Sequence, residues 1–128
     1  MLPVFVIDTS VILAFVRREP GGERLPDYVG DALMSTVNLA ETVTRCIELG
    51  IDPDSAIAFV GESGIELVDL PAEQAILAGR LRHKAPKGVL SLGDRACIAA
   101  AILSGRTAVT ADRIWAGLDL GCKVELIR

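Results

Sequence analysis

Pro3-Val4-Phe5-Val6-Ile7-Asp8-Thr9-Ser10 decides how the rest of this chain is read. An unbroken apolar run ends abruptly on three polar residues. A run with no polar alternation marks a strand covered on both faces, as in the centre of a parallel sheet. Val11 to Val16 continue as the first turns of a helix, with Thr9 or Ser10 as its expected cap. Pro20-Gly21-Gly22 breaks that helix, and a short amphipathic helix is expected over Glu23 to Val29.

The same alternation of strand and helix recurs to the end of the chain. Ala32-Leu33-Met34-Ser35 reads as a second strand. Val37, Leu39, Ala40, Val43, Cys46, Ile47 and Leu49 recur at helical spacing until Gly50. Asp52-Pro53 opens another helix to about Val60, with the aspartate as cap and the proline at the first helical position. Ile65 to Asp69 alternates like a strand near the sheet edge. Pro71 to Lys84 is an amphipathic helix stopped by Pro86-Lys87-Gly88. Ser91 to Ser104 is Ala-rich, which fits a helix packed closely against a neighbour, and Gly105 ends it. Thr107 to Thr110 is a further strand, Asp112 to Ala116 a short helix, and Lys123 to Ile127 a last strand. Strands alternating with helices imply a single α/β domain over residues 1–128 with a mostly parallel sheet.

Composition narrows the chemistry. Of the 128 residues 51% are apolar but only 4% aromatic, so Ala, Val, Ile and Leu must fill the core. A net charge of −4 excludes a protein that holds nucleic acid by bulk positive charge. Cys46, Cys97 and Cys122 form no Cys-x-x-Cys pair and are expected to be buried, reduced thiols. His83 is the one histidine; it lies in the basic run Arg80 to Lys84, and it is expected at a solvated helix end rather than in a zinc site. Met1 leads directly into a strand without a basic start and a long apolar run, and no stretch reaches the ~20 apolar residues of a membrane span. A soluble, cytoplasmic protein is expected.

Three acids fall where strands end and helices begin, and a fourth stands apart from them in sequence setting. Asp8 ends the first strand, Asp112 follows the fourth by two residues, and Asp94 lies in the first turn of the Ala-rich helix. Glu41 stands one turn into a helix beyond the second strand. Ligands of open α/β sheets collect at the carboxyl ends of the strands. Two like charges about 4 Å apart repel by roughly 4 kcal/mol at an effective dielectric of about 20, so such a cluster calls for a cation. Oxygen-only donors favour Mg²⁺ or Mn²⁺ over zinc. Taken singly, each acid also reads as a cap, a helix-dipole partner or a surface residue.

Four segments then carry a resemblance: Val6 to Ser10, Ser35 to Glu41, Leu92-Gly93-Asp94-Arg95-Ala96, and Thr110-Ala111-Asp112-Arg113-Ile114-Trp115. In this order they resemble the PIN-domain ribonucleases, and among them the VapC toxins of toxin–antitoxin pairs. The resemblance implies a PIN-like three-layer α/β/α sandwich with a central, mostly parallel five-stranded sheet. It also implies a Mg²⁺ or Mn²⁺ site and endonucleolytic cleavage of RNA by metal-activated water. Asp8, Glu41, Asp94 and Asp112 become the metal-site acids. Ser10 and Thr110 become polar residues that orient the acids or a bound water, with Asn38 assisting. The implied partners are an RNA substrate, a VapB-type antitoxin through which alone DNA is contacted, and a second copy of the chain.

Other readings are weighed beside this one. Haloacid-dehalogenase-like phosphatases also end their first strand on an aspartate, but they need a second acid two residues later, where this chain has Ser10. A PIN nuclease of RNA processing would share the fold, and a non-catalytic RNA- or protein-binding module is a reading from another class. Arg95 and Arg113 each follow a site acid and are read either as partners of neighbouring carboxylates or as substrate contacts. Arg17, Arg18 and Arg24 are read either as an RNA-facing rim or as a solvated face. Apolar residues within Ile57 to Val60 and Ile76 to Leu81 are read as dimer interface or as core. Neither the number of metals nor the RNA cleaved is fixed by the sequence.

Overall fold

A computed structural model describes residues 4–128, so Pro3, where the first expected strand begins, lies outside the described residues. Five strands form one sheet: β1 (Phe5–Ile7), β2 (Ala32–Ser35), β3 (Glu66–Val68), β4 (Thr107–Thr110) and β5 (Val124–Leu126). Their order is β3-β2-β1-β4-β5, and every pairing is parallel. Five α-helices connect or flank them: α1 (Thr9–Val16), α2 (Thr36–Glu48), α3 (Pro53–Glu62), α4 (Ala72–Arg80) and α5 (Leu92–Ser104).

The period of two along each central strand sorts side chains onto two cores. Val6, Leu33 and Ala108 face one side, where Ala78 of α4 and Cys97 to Ala101 of α5 pack with Trp115. Ile7, Met34 and Val109 face the other, against Val11 and Ile12 of α1, Val60 of α3, and Leu25. Helices therefore cover both faces of the sheet, which is the three-layer arrangement expected. The Ala-rich α5 packs against β1 with mostly small side chains, and Cys97 Sγ donates to Val6 O at 3.9 Å. Ile65 is buried, but Glu66 and Leu67 are exposed, as an edge strand requires.

Several local expectations are corrected. The cap of α1 is Asp8, in an extended conformation, and Thr9 and Ser10 are already helical. Their hydroxyls are engaged elsewhere, Thr9 Oγ1 donating to Asn38 O at 3.0 Å and Ser10 Oγ to Asp8. The amphipathic helix expected over Glu23 to Val29 is a 3-10 turn over Gly22–Asp27 that encloses Pro26, followed by a second over Val29–Asp31. A proline at that position removes a donor and blocks a regular α-helix. The α-helix expected from Pro71 to Lys84 ends at Arg80, and Leu81–Lys84 continues as a 3-10 turn. The short helix after Asp112 is likewise 3-10, over Arg113–Gly117. Cys46 and Cys97 are buried, whereas Cys122 is partly exposed. His83 is exposed, as expected. Of the apolar residues weighed as interface, Val60, Ala78 and Leu81 belong to the core, and Ile57 and Ile76 are exposed. Among the described residues no helix is long and apolar enough to cross a membrane.

Gly22 marks a very tight backbone contact in the scaffold. A Cβ there would lie 2.4 Å from the carbonyl oxygen of Ala14, backbone that cannot move aside. Gly22→Ala is expected to destabilise the protein by about 1–3 kcal/mol. Urea unfolding followed by the emission of the buried Trp115, the single tryptophan, measures this. An unchanged midpoint would refute the close approach.

Candidate functional site

The chain runs outward from β1 through β2 to β3, then returns to lay β4 against the opposite edge of β1. Where the order reverses, the loops leaving adjacent strands diverge and a crevice opens at their carboxyl ends. Asp8 follows β1 and Thr110 ends β4, so both flank that crevice. A pocket of about 240 Å³ opens there, lined by Asp8, Thr9, Ser10, Leu13, Glu41, Arg45, Asp94 and Asp112. Clefts of about 580 and 530 Å³ lie elsewhere on the surface. Neither gathers acids in this way, so chemistry rather than size locates the site.

Asp8 is 2% exposed. Its backbone N–H donates to Val109 O, which ties the end of β1 to β4. Although it stands at the cap position of α1, its carboxylate makes no capping bond. Oδ2 instead accepts from Ser10 Oγ at 2.6 Å and from Thr110 Oγ1 at 2.9 Å. These hydroxyls are themselves fixed, Ser10 Oγ by the N–H of Ala111 and Thr110 Oγ1 by the N–H of Asp112. Oδ1 is buried and has no partner. One oxygen is thus clamped and the other left available.

Asp94 occupies the third position of α5 and closes a capping box with Ser91. Its Oδ2 accepts from the N–H of Ser91 at 2.9 Å, and Ser91 Oγ accepts from the N–H of Asp94 at 3.0 Å. The same Ser91 hydroxyl donates to Glu41 Oε2 at 3.1 Å, joining the two acids through one side chain. Gly93 allows this approach, because a Cβ there would stand 2.5 Å from the Glu41 carboxylate. Asn38 sets the helices: its Nδ2 donates to Gly93 O at 3.0 Å and holds α2 against the start of α5. Asn38 is buried and does not line the pocket.

Asp8, Glu41 and Asp94 each present a carboxylate oxygen within 4.8 Å of the others. Asp112 lines the same pocket outside that group, and its Oδ1 accepts from the N–H of Ile114 as a helix cap. Of the expected acids, the structure draws three into one cluster and sets the fourth beside it. Burial, with Asp94 as the next cause, raises the Asp8 carboxyl to about 7. Burial likewise raises Asp94 to about 6, with the nearby Glu41 charge adding to it. A crowded acid set with an unpartnered buried oxygen fits a divalent cation, and all-oxygen donors fit Mg²⁺ or Mn²⁺. Cys97, which the fold places close by, has its thiol pushed well above the usual range by burial and is held as an unreactive core residue.

Arg95 does not line the pocket. One residue past Asp94 the helix has turned about 100°, and Arg95 Nη1 donates to Ala78 O on α4 at 3.1 Å. Arg113 is exposed and does not line the pocket. Arg17 pairs with Glu19, and Arg24 with Glu125, while Arg24 also donates to Leu126 O. Two residues of the site carried no expectation. Ser91 is signalled by the Ser-x-x-Asp spacing of a capping box. Arg45 is signalled by its place four residues after Glu41, on the same helix face.

The PIN domain family model matches residues 5–119. The chain belongs to the PIN domain family. A comparison with curated protein sequences gives no match. Among solved structures, the chain is similar to the DNA-bound VapBC of Salmonella typhimurium, with 23% identity, all of both chains covered and a TM-score of 0.72. It is similar to VapC20 of Mycobacterium tuberculosis, described as a sarcin-ricin loop cleaving toxin, at 16% identity, 88% and 93% coverage and a TM-score of 0.73. It is also similar to VapBC-5 of Mycobacterium tuberculosis, at 26% identity, 98% and 99% coverage and a TM-score of 0.63. The fold is that of a VapC-like PIN domain.

The raised carboxyls have a thermodynamic sign. Without metal, the folded state holds protons on Asp8 and Asp94 that the unfolded chain releases near pH 4. Stability then falls as pH rises from about 4 through about 7. The melting temperature in EDTA is expected to drop by several degrees between pH 5 and pH 8. Millimolar Mg²⁺ should restore it, and restore more at pH 8 than at pH 5, since the cation competes with protons. Differential scanning calorimetry at the two pH values checks this; a metal effect independent of pH would contradict it.

Proposed function

We propose that this protein is a Mg²⁺-dependent endoribonuclease, with Mn²⁺ as an alternative ion, and the toxin of a type II toxin–antitoxin pair. The observation that carries the reading is the cluster of Asp8, Glu41 and Asp94 at the switch point of a PIN fold, with Asp8 Oδ1 buried and unpartnered. The likeness to VapC structures supports the toxin assignment, and their VapBC complexes support an antitoxin partner that itself contacts DNA.

Asp8, Glu41 and Asp94 would hold the cation, with Asp112 acting at the edge of the set. A bound Mg²⁺ lowers the pKa of water and offsets charge on phosphoryl oxygens, which phosphodiester hydrolysis needs. Ser10 and Thr110 fix Asp8 Oδ2, so that Oδ1 keeps a defined direction. Ser91 steadies Glu41, which completes the carboxylate set or orients the attacking water. The antitoxin would close the pocket with a cationic side chain, the complement of an acid cluster. A second copy of the chain is the further partner, with exposed Ile57 and Ile76 available to it.

Asp8→Asn and Asp94→Asn are each expected to lower Mg²⁺-dependent cleavage of RNA by at least about a hundredfold. Asp8→Asn should at the same time raise the melting temperature in EDTA at pH 8, because it removes a buried charge. Gel assays of purified protein on total RNA, with EDTA controls, measure the first effect. Full activity in either variant would refute the assignment, and RNA binding without cleavage by the unaltered chain would favour a binding module.

A further inference from the structure

Arg45 lies on α2 one turn beyond Glu41, and it lines the pocket together with the acids. A guanidinium beside several carboxylates ordinarily closes onto one of them, since a bidentate charge-assisted pair is the strongest contact open to it. Here it does not. Nη1 lies 2.8 Å from Glu48 Oε1, three residues further along the helix. Among the described residues, none of Asp8, Glu41, Asp94 and Asp112 enters an ion pair. Arg45 and Glu48 are 46% and 55% exposed, so as a stabilising contact the pair counts for little. Its geometric effect is the larger one: the cation stays at the rim, and the carboxylates stay free.

We propose that Arg45 is the residue that binds a phosphate of the RNA strand entering the pocket; this rests on the ribonuclease reading. The chain carries a net charge of −4, so no bulk field draws a polyanion toward an acidic pocket. Beyond the bound metal ion, a cationic side chain beside the pocket can supply that attraction locally. Arg95 is turned to α4, Arg17 and Arg24 are paired away from the pocket, and Arg113 lies outside its lining. Arg45 alone among the pocket-lining residues carries positive charge. Its planar fork matches phosphate, and an exposed glutamate is readily exchanged for that ligand. Turned toward Glu48 rather than the site acids, Arg45 does not neutralise them.

The test uses the purified full chain and a single-stranded RNA that it cleaves. Arg45→Ala should raise KM about tenfold to a hundredfold, the size of a lost charge-assisted contact, and leave kcat within about twofold. The slope of log(kcat/KM) against log[NaCl] should shrink by about 0.7, one phosphate contact on a single strand. Arg45→Lys should restore the salt slope, because the charge is kept, but recover only part of the KM, because the planar fork is lost. The Mg²⁺-induced rise in melting temperature should match that of the unaltered chain, which shows the fold and the acid cluster intact. An unchanged KM and salt slope in Arg45→Ala, with the unaltered chain active, would overturn this inference and leave the nuclease reading standing. Failure of the unaltered chain to cleave RNA in Mg²⁺ would overturn both.

Discussion

A carboxylate buried to 2% exposure needs its charge answered, and Asp8 has it answered on one side only. Ser10, from the first turn of α1, and Thr110, from the end of β4, both donate to Oδ2. That is possible because the sheet order places β4 directly beside β1. Two hydroxyls and a strand pairing therefore converge on one oxygen. The other is buried without a partner, and α2 and α5 bring Glu41 and Asp94 to the same pocket. Each of these placements increases like-charge repulsion. The two hydrophobic cores of the sheet supply the stability that lets the arrangement persist.

The pocket is accordingly a place where local and global preferences disagree. Asp8 sits at a helix N-terminus, where a negative charge is ordinarily favoured, yet burial outweighs this and lifts its carboxyl to about 7. Asp94 is a well-formed capping residue, yet burial and Glu41 raise it as well. A structural aspartate would have its second oxygen satisfied and its range lowered. The departure from that pattern separates a site from a set of caps.

Much of this was legible in the sequence because the decisive signals are local. The unbroken run before Asp8, the period of α2 and the Ala-rich α5 report burial directly, and burial on both faces implies the parallel sheet. Asp8, Asp94 and Asp112 could be grouped because strand ends and helix starts share one edge, whereas Glu41 rests on its motif. What was not legible depends on partners far along the chain. The cap of α1 passes to Asp8 because Thr9 is drawn to Asn38 O, 29 residues away. Arg95 leaves the site because Ala78 O on α4 offers it an acceptor. Pro26 tightens its segment into 3-10 turns. Asp112 stands outside the cluster because its oxygen caps the next turn, a choice that spacing alone does not reveal.

Ser91 carries a consequence of a different kind. Its single hydroxyl accepts from the N–H of Asp94 and donates to Glu41, so the start of a core helix and the placement of an acid depend on the same atom. A threonine could in principle serve both purposes, but an aspartate or asparagine, equally good as a cap, would bring charge or bulk against Glu41. The usual freedom to exchange one capping residue for another is therefore narrowed here. Drift at this position under selection for folding alone would be visible in the chemistry, and drift under selection for chemistry alone would be visible in the stability of the sheet's closest helix.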